Sequence, residues 1–143
     1  MTDVAERVPL NEWTEGMELP PLVKPPIDRV QLVRYAGASG DFNPLHTVDE
    51  FARSAGLDGV IAHGMLSMGF LGQYVRWVAG PAVHIAQIKA RFQAMARPGD
   101  VLTVRGRVVR RDGEEAVLEM WAENQHGQVV TAGESRLKVW TTE

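Results

Sequence analysis

The chain has 143 residues, no cysteine, a formal net charge of −3, 45% hydrophobic residues and 23% charged ones. Its length corresponds to one domain, expected to span residues 1–143, with enough chain to bury a core. The lack of cysteine excludes disulfides, cysteine nucleophiles and thiolate metal sites; the mild acidity gives no reason to expect nucleic acid or an anionic membrane as partner; and no apolar run reaches bilayer-spanning length.

The opening Met1-Thr2-Asp3-Val4-Ala5-Glu6-Arg7 lacks the basic-then-apolar order of a secretory signal, so the cytoplasm is the expected compartment. Pro20, Pro21, Pro25 and Pro26 favour extended backbone and predict an edge strand. Asp28 is placed to cap a helix over Arg29–Ala38, with Val30, Val33 and Tyr35 available for packing. A loop over Ser39–His46 follows, and Asp49 is expected to cap a short helix that ends near Ala55 and Gly56.

From His63 to Val78 the sequence is apolar nearly all round, the pattern of a buried helix. Gly69 and Gly72 inside it predict tight packing of helix on sheet. Gly80-Pro81 closes the element. The remainder predicts a strand meander: Val83–Phe92, a turn at Arg97-Pro98-Gly99-Asp100, Val101–Arg110, a hairpin at Asp112-Gly113, Ala116–Glu123, a turn at His126-Gly127, and Val129–Trp140. Leu102, Val104, Gly106 and Val108 alternate onto one face. Arg105, Arg107, Arg110 and Arg111 suit the solvated face of a strand, with an acidic partner as the alternative. One buried helix ahead of several antiparallel strands predicts an α+β arrangement, a sheet wrapped around that helix.

The stretch that carries chemistry is Ser39-Gly40-Asp41-Phe42-Asn43-Pro44-Leu45-His46. Gly40 and Pro44 both oppose regular helix, so the segment is a shaped loop. Such a loop can turn a carboxylate and an imidazole toward one point, which suits proton transfer near neutral pH. Spacing alone leaves Asp41 open to a turn or capping role.

The loop lies between Tyr35-Ala36 and Ala62-His63-Gly64-Met65, with Asp49 and Ala52 in between. This set resembles the MaoC-like hydratases and dehydratases, the (R)-specific enoyl-thioester hydratase branch of the hot-dog superfamily. The match is dense from Tyr35 to Phe70 and looser beyond, where it rests on strand pattern and Arg91-Phe92. The resemblance implies a single hot-dog domain with a long central apolar helix, commonly paired with a second protomer. It also implies hydration of trans-2-enoyl thioesters, or the reverse dehydration, on CoA or acyl-carrier protein.

Under that resemblance Asp41 and His46 carry the proton steps, in an order the sequence leaves open. Gly64, where the buried helix begins, offers a backbone N–H for the thioester oxygen and leaves room for the thioester. Asn43 either shapes the site or serves as a turn residue before Pro44. Ser39 is a turn or capping candidate. His63 reads as a structural hydrogen-bonding residue at the helix entrance, with a second catalyst as the alternative. The helical Ser found in some family members is absent, since the region reads Gly69-Phe70-Leu71-Gly72. The four histidines show no metal-ligand spacing, so neither metal nor cofactor is expected. Two further readings stand beside the hydratase: a hot-dog thioesterase, and a subunit of a heteromeric dehydratase that is catalytic or binds the acyl chain. The expected partners are thus an acyl thioester and a second hot-dog chain, as homodimer or heterodimer.

Overall fold

The computed structural model describes residues 7–140. In chain order its elements are β1 (Glu18–Val23), α1 (Arg29–Ser39), α2 (Asp49–Ser54), α3 (Gly64–Ala79), β2 (Val83–Phe92), β3 (Thr103–Arg111), β4 (Glu115–Glu123) and β5 (Val129–Val139). Short 3-10 turns occupy Leu10–Glu12 and Pro44–His46. The strands form one five-stranded sheet in the order β1-β3-β4-β5-β2, antiparallel throughout. The α+β architecture expected from the sequence is therefore present, with α3 packed on the sheet.

Alternation decides which sheet face receives α3. In β4, Ala116, Leu118, Met120 and Ala122 are all fully buried. Val104 and Val108 of β3 and Leu137 of β5 join them, and Leu71, Tyr74 and Val75 of α3 close over the same face. The large ring of Tyr74 fits only because Gly106 has no side chain: a Cβ there would lie 2.6 Å from the ring. The Tyr74 hydroxyl donates to the Pro20 carbonyl at 2.9 Å, which ties α3 to β1.

The opposite face is solvated. Arg105 pairs with Glu123 at 2.6 Å, Arg107 with Glu119, and Arg110 with Glu115 at 2.8 Å. These exposed cross-strand pairs are the solvated-face reading of the arginines. Each is worth roughly 0–1 kcal/mol, so they tune solubility more than stability.

Three local expectations differ from what forms. Val30 and Val33 lie on the outside of α1, while Leu32 and Ala36 supply its buried stripe. Asp49 is the first residue of α2 and not its cap. Val48 stands at that position, and the Asp49 carboxylate is engaged elsewhere. Nor is α3 enclosed on all sides: Met65 is 53% exposed, a Cβ on Gly69 would touch nothing, and one on Gly72 would reach only Ile88 Cδ1 at 4.0 Å. The apolar periodicity of α3 thus serves two faces, one on the sheet and one left open on the protomer.

Candidate active site

The loop after α1 is built from a relay of side-chain turns. Asp28 accepts from the Gln31 amide and starts α1, and Gly40 ends it with φ 76°, a conformation that favours glycine. Ser39 Oγ then accepts from the Asp41 amide at 3.2 Å, and Asp41 Oδ1 from the Asn43 amide at 3.2 Å. Asn43 Oδ1 accepts from the Leu45 amide at 3.1 Å. Each polar side chain caps the backbone two residues on, which satisfies donors that a tight loop cannot pair internally. Ser39 and Asn43 therefore shape the loop. Asp41 uses one oxygen for the turn and keeps Oδ2 free for His46.

The second wall is the segment before α3. Asp49 Oδ1 accepts from the Val60 amide at 3.0 Å, and its carboxylate takes two contacts from Arg29, at 2.9 and 3.1 Å. The Val60 amide and the Arg29 guanidinium together hold Asp49 below the usual carboxylate range. The Ile61 amide donates to the Leu45 carbonyl at 3.1 Å. In return, His46 Nδ1 meets the Ile61 carbonyl at 2.7 Å.

A carbonyl can only accept, so Nδ1 of His46 carries the hydrogen. In the neutral ring this leaves Nε2 with a free lone pair. That atom lies 3.8 Å from Asp41 Oδ2. Two acceptors at this separation do not bond to each other. A water between them can donate to both, and a substrate hydroxyl to one of them. The His46 side chain is 11% exposed and that of Asp41 52%, so the pair is open to solvent from the carboxylate side.

Beneath this pair lies His63, 2% exposed. Its ring stacks on His46 with centroids 3.8 Å apart and planes 24° apart, and the edge of Tyr35 meets it at 4.8 Å. His63 Nε2 donates to the Asp41 main-chain carbonyl at 3.2 Å, and Nδ1 is buried with no hydrogen-bond partner. Burial holds His63 below the usual imidazole range, against the opposing pull of the Asp41 carbonyl.

The MaoC like domain family matches residues 12–130 of this chain. The chain belongs to the MaoC-like dehydratase family. Among curated relatives, it is 35% identical over 96 residues to enoyl-CoA hydratase ChsH3 of Mycobacterium tuberculosis, covering 66% of this chain and 32% of that protein. It is 31% identical over 129 residues to fatty acid synthase beta subunit hexB of Dothistroma septosporum, covering 88% of this chain. It spans only 6% of that synthase subunit's length. Among solved structures, R-hydratase PhaJ1 from Pseudomonas aeruginosa superposes with a TM-score of 0.86 at 26% identity, covering 95% of this chain and 88% of that one. The sheet around α3 is thus the hot-dog fold.

In this MaoC-like chain α3 begins at Gly64, directly after His63. As the first helical residue, Gly64 has an amide with no partner inside the helix. The space above its Cα is filled by the Phe92 ring: a Cβ would lie 3.2 Å from Cδ1 and 3.3 Å from Cε1 and Cγ. The missing side chain of Gly64 makes room for this Phe92 ring, itself 50% exposed.

Two polar residues near this helix start escaped the sequence reading. Ser67 Oγ donates to the Gly64 carbonyl at 2.7 Å and meets Thr131 Oγ1 of β5 at 2.6 Å, both residues being buried. A lone Ser inside an apolar helix was the available signal; Thr131 offered none.

Asp41, His46 and His63 each present an atom within 4.8 Å of the others, the separation of a metal site. The histidine geometry argues against one. Imidazole lone pairs lie in the ring plane, and planes 24° apart at 3.8 Å do not meet within bonding reach of a single ion. Each ring also spends a nitrogen on a main-chain carbonyl. Among the described residues, no helix is long and apolar enough to cross a membrane.

Proposed function

We propose that this chain is a hydro-lyase that adds water to trans-2-enoyl thioesters to give (R)-3-hydroxyacyl thioesters, or catalyses the reverse dehydration, on CoA or acyl-carrier protein. The observation that carries this reading is the gap between His46 Nε2 and Asp41 Oδ2, with the imidazole tautomer held by the Ile61 carbonyl. Relatives named as enoyl-CoA hydratases support the same class.

The chemistry follows from the two acceptors. A bound water donates one hydrogen to His46 Nε2 and the other to Asp41 Oδ2. One of its lone pairs attacks C3 of the enoyl group while one of the two residues takes a proton. Electrons move through C2 onto the thioester oxygen. The proton taken from water is then delivered to C2, so the pair ends as it began. In the dehydration direction the same steps reverse.

The oxygen that gains charge needs donors already in place. The Gly64 amide at the start of the 16-residue helix α3 is our candidate. It combines an unpaired N–H with the positive end of the helix dipole. Ser67 and Thr131 hold that first turn to β5, so the amide is fixed before substrate arrives.

We further infer that the working form pairs two hot-dog chains. Of the two edge strands, β1 is interrupted by Pro20 and Pro21 and by a break in register. β2 has its own register shift between Ile85 and Gln87, yet it offers ten residues without proline and reaches the open side of α3 at Gly72 through Ile88. A second copy or a related subunit would cover both.

Asp41→Asn and His46→Ala test the chemistry. Each should lower crotonyl-CoA hydration, followed by loss of enoyl-thioester absorbance, by about 10²-fold or more at unchanged fold. Full activity in either variant would defeat this mechanism. Release of free thiol in place of hydration would assign a thioesterase.

A further inference from the structure

His63 has more invested in it than a core residue needs. A somewhat larger phenyl ring would fill such a core site without burying a nitrogen that has no partner. Instead the site keeps an imidazole that is 2% exposed, with Nδ1 orphaned and Nε2 donating to the Asp41 carbonyl. The same ring carries the face of His46 at 3.8 Å. His63 thus contacts both members of the pair, Asp41 through its main-chain carbonyl and His46 through its ring face.

We propose that His63 is the positioning residue of this site: its neutral ring holds the Asp41 backbone by one edge and the His46 imidazole by one face, and so sets the gap that a single water occupies. This rests on the role proposed above for Asp41 and His46. The bond to the Asp41 carbonyl fixes where the loop presents its carboxylate. The stack fixes the tilt of His46 about its tether to the Ile61 carbonyl. Neither contact alone sets the separation; together they define it.

The ring must be neutral to do this. The titratable groups that face it are Tyr35 from α1, Asp41 from the loop and His46 from the 3-10 turn. A proton on Nδ1 would be a buried donor with no acceptor. It would also set a cation against the face of His46, which becomes a cation itself whenever it accepts a proton. Burial disfavours that state, in agreement with the lowered proton affinity of His63.

Two substitutions separate the contacts. His63→Phe keeps a ring for the stack and removes the donor. His63→Gln keeps an amide N–H for the Asp41 carbonyl and removes the stack. Both are measured as full-length protein on crotonyl-CoA beside Asp41→Asn. We expect His63→Phe to lower kcat on the order of 10²-fold with KM nearly unchanged, the scale of a misplaced catalytic group. His63→Gln should recover roughly tenfold of that loss. Wild-type kcat in His63→Phe, or no recovery in His63→Gln, overturns the proposal. Activity in Asp41→Asn would defeat the underlying reading instead; loss there with full activity in His63→Phe defeats only this one. Should the variants fail to fold, ¹⁵N spectra of the wild-type histidines decide. His63 should keep its neutral Nε2–H form to lower pH than a free imidazole does, and titration as a free imidazole overturns the proposal.

Discussion

Gly64→Ala gives a sharp test of the start of α3, because its effects on stability and on rate should part company. The new Cβ would sit 3.2–3.3 Å from three carbons of the Phe92 ring. Carbon contacts are optimal near roughly 3.5–4.0 Å, so the ring must retreat by a few tenths of an ångström. Phe92 is 50% exposed and has solvent to move into. The strain should therefore fall at the low end of overpacking costs, about 1 kcal/mol. The gain in helix propensity from glycine to alanine, at most about 1 kcal/mol, opposes it. Net stability should hence move by less than about 1 kcal/mol, a shift in Tm of only a few degrees.

The rate should respond far more. The methyl group stands beside the very amide proposed to meet the thioester oxygen, and the displaced ring crowds the same approach. Losing an oxyanion donor costs about 10²–10³-fold in kcat, so a narrowed approach should cost about tenfold. Phe92→Ala alone should have little effect on rate. Combined with Gly64→Ala it should restore most of the lost activity, a coupling of about 1.4 kcal/mol for a tenfold recovery. The assay is the crotonyl-CoA absorbance decay, with melting curves on the same four proteins. Unchanged kcat in Gly64→Ala, or no coupling to Phe92, would refute the assignment of the Gly64 amide.

The remaining tests address what supports the site. Ser67→Ala should destabilise by roughly 1–3 kcal/mol, because it leaves the Thr131 hydroxyl buried without its acceptor. Adding Thr131→Val should cost less than the sum of the two singles, as measured by urea unfolding. Burial raises the Tyr74 hydroxyl well above the ordinary tyrosine range. The unfolded chain would ionise first, near pH ~10, so the stability tied to this group is whole below that pH and is lost as pH rises further. Tyr74→Phe should flatten the alkaline fall in Tm, and an equally steep fall in that variant would show that another group is responsible.

Much of the fold was legible because its signals are local. Asp28 and Gly40 bracket α1 through bonds to residues three or four away. The turn at Arg97-Pro98-Gly99-Asp100 needs only its own four residues, with Gly99 at φ 94°. Strand alternation in β4 reads directly as burial. Asp49 was misjudged because its local signal, an acid before a short helix, lost to partners at Arg29 and Val60 that only folding supplies. Val30 and Val33 were misjudged because several registers of α1 offer an apolar stripe, and packing chose that of Leu32 and Ala36. Gly69 and Gly72 suggested close packing, yet Gly69 lies on a face of α3 that this chain leaves uncovered and Gly72 meets only Ile88 of β2.

Residue identities alone determined that this chain carries an acid and an imidazole on a Gly/Pro-bounded loop, ahead of an apolar helix and a strand meander. Tertiary structure decided what those groups do to one another. It placed the Ile61 carbonyl on His46 Nδ1, the His63 ring under His46, Phe92 over Gly64 and Thr131 against Ser67. The reason is reach: caps, turns and alternation are settled by bonds spanning a few residues, whereas these contacts join segments whose proximity exists only once sheet order and register are set.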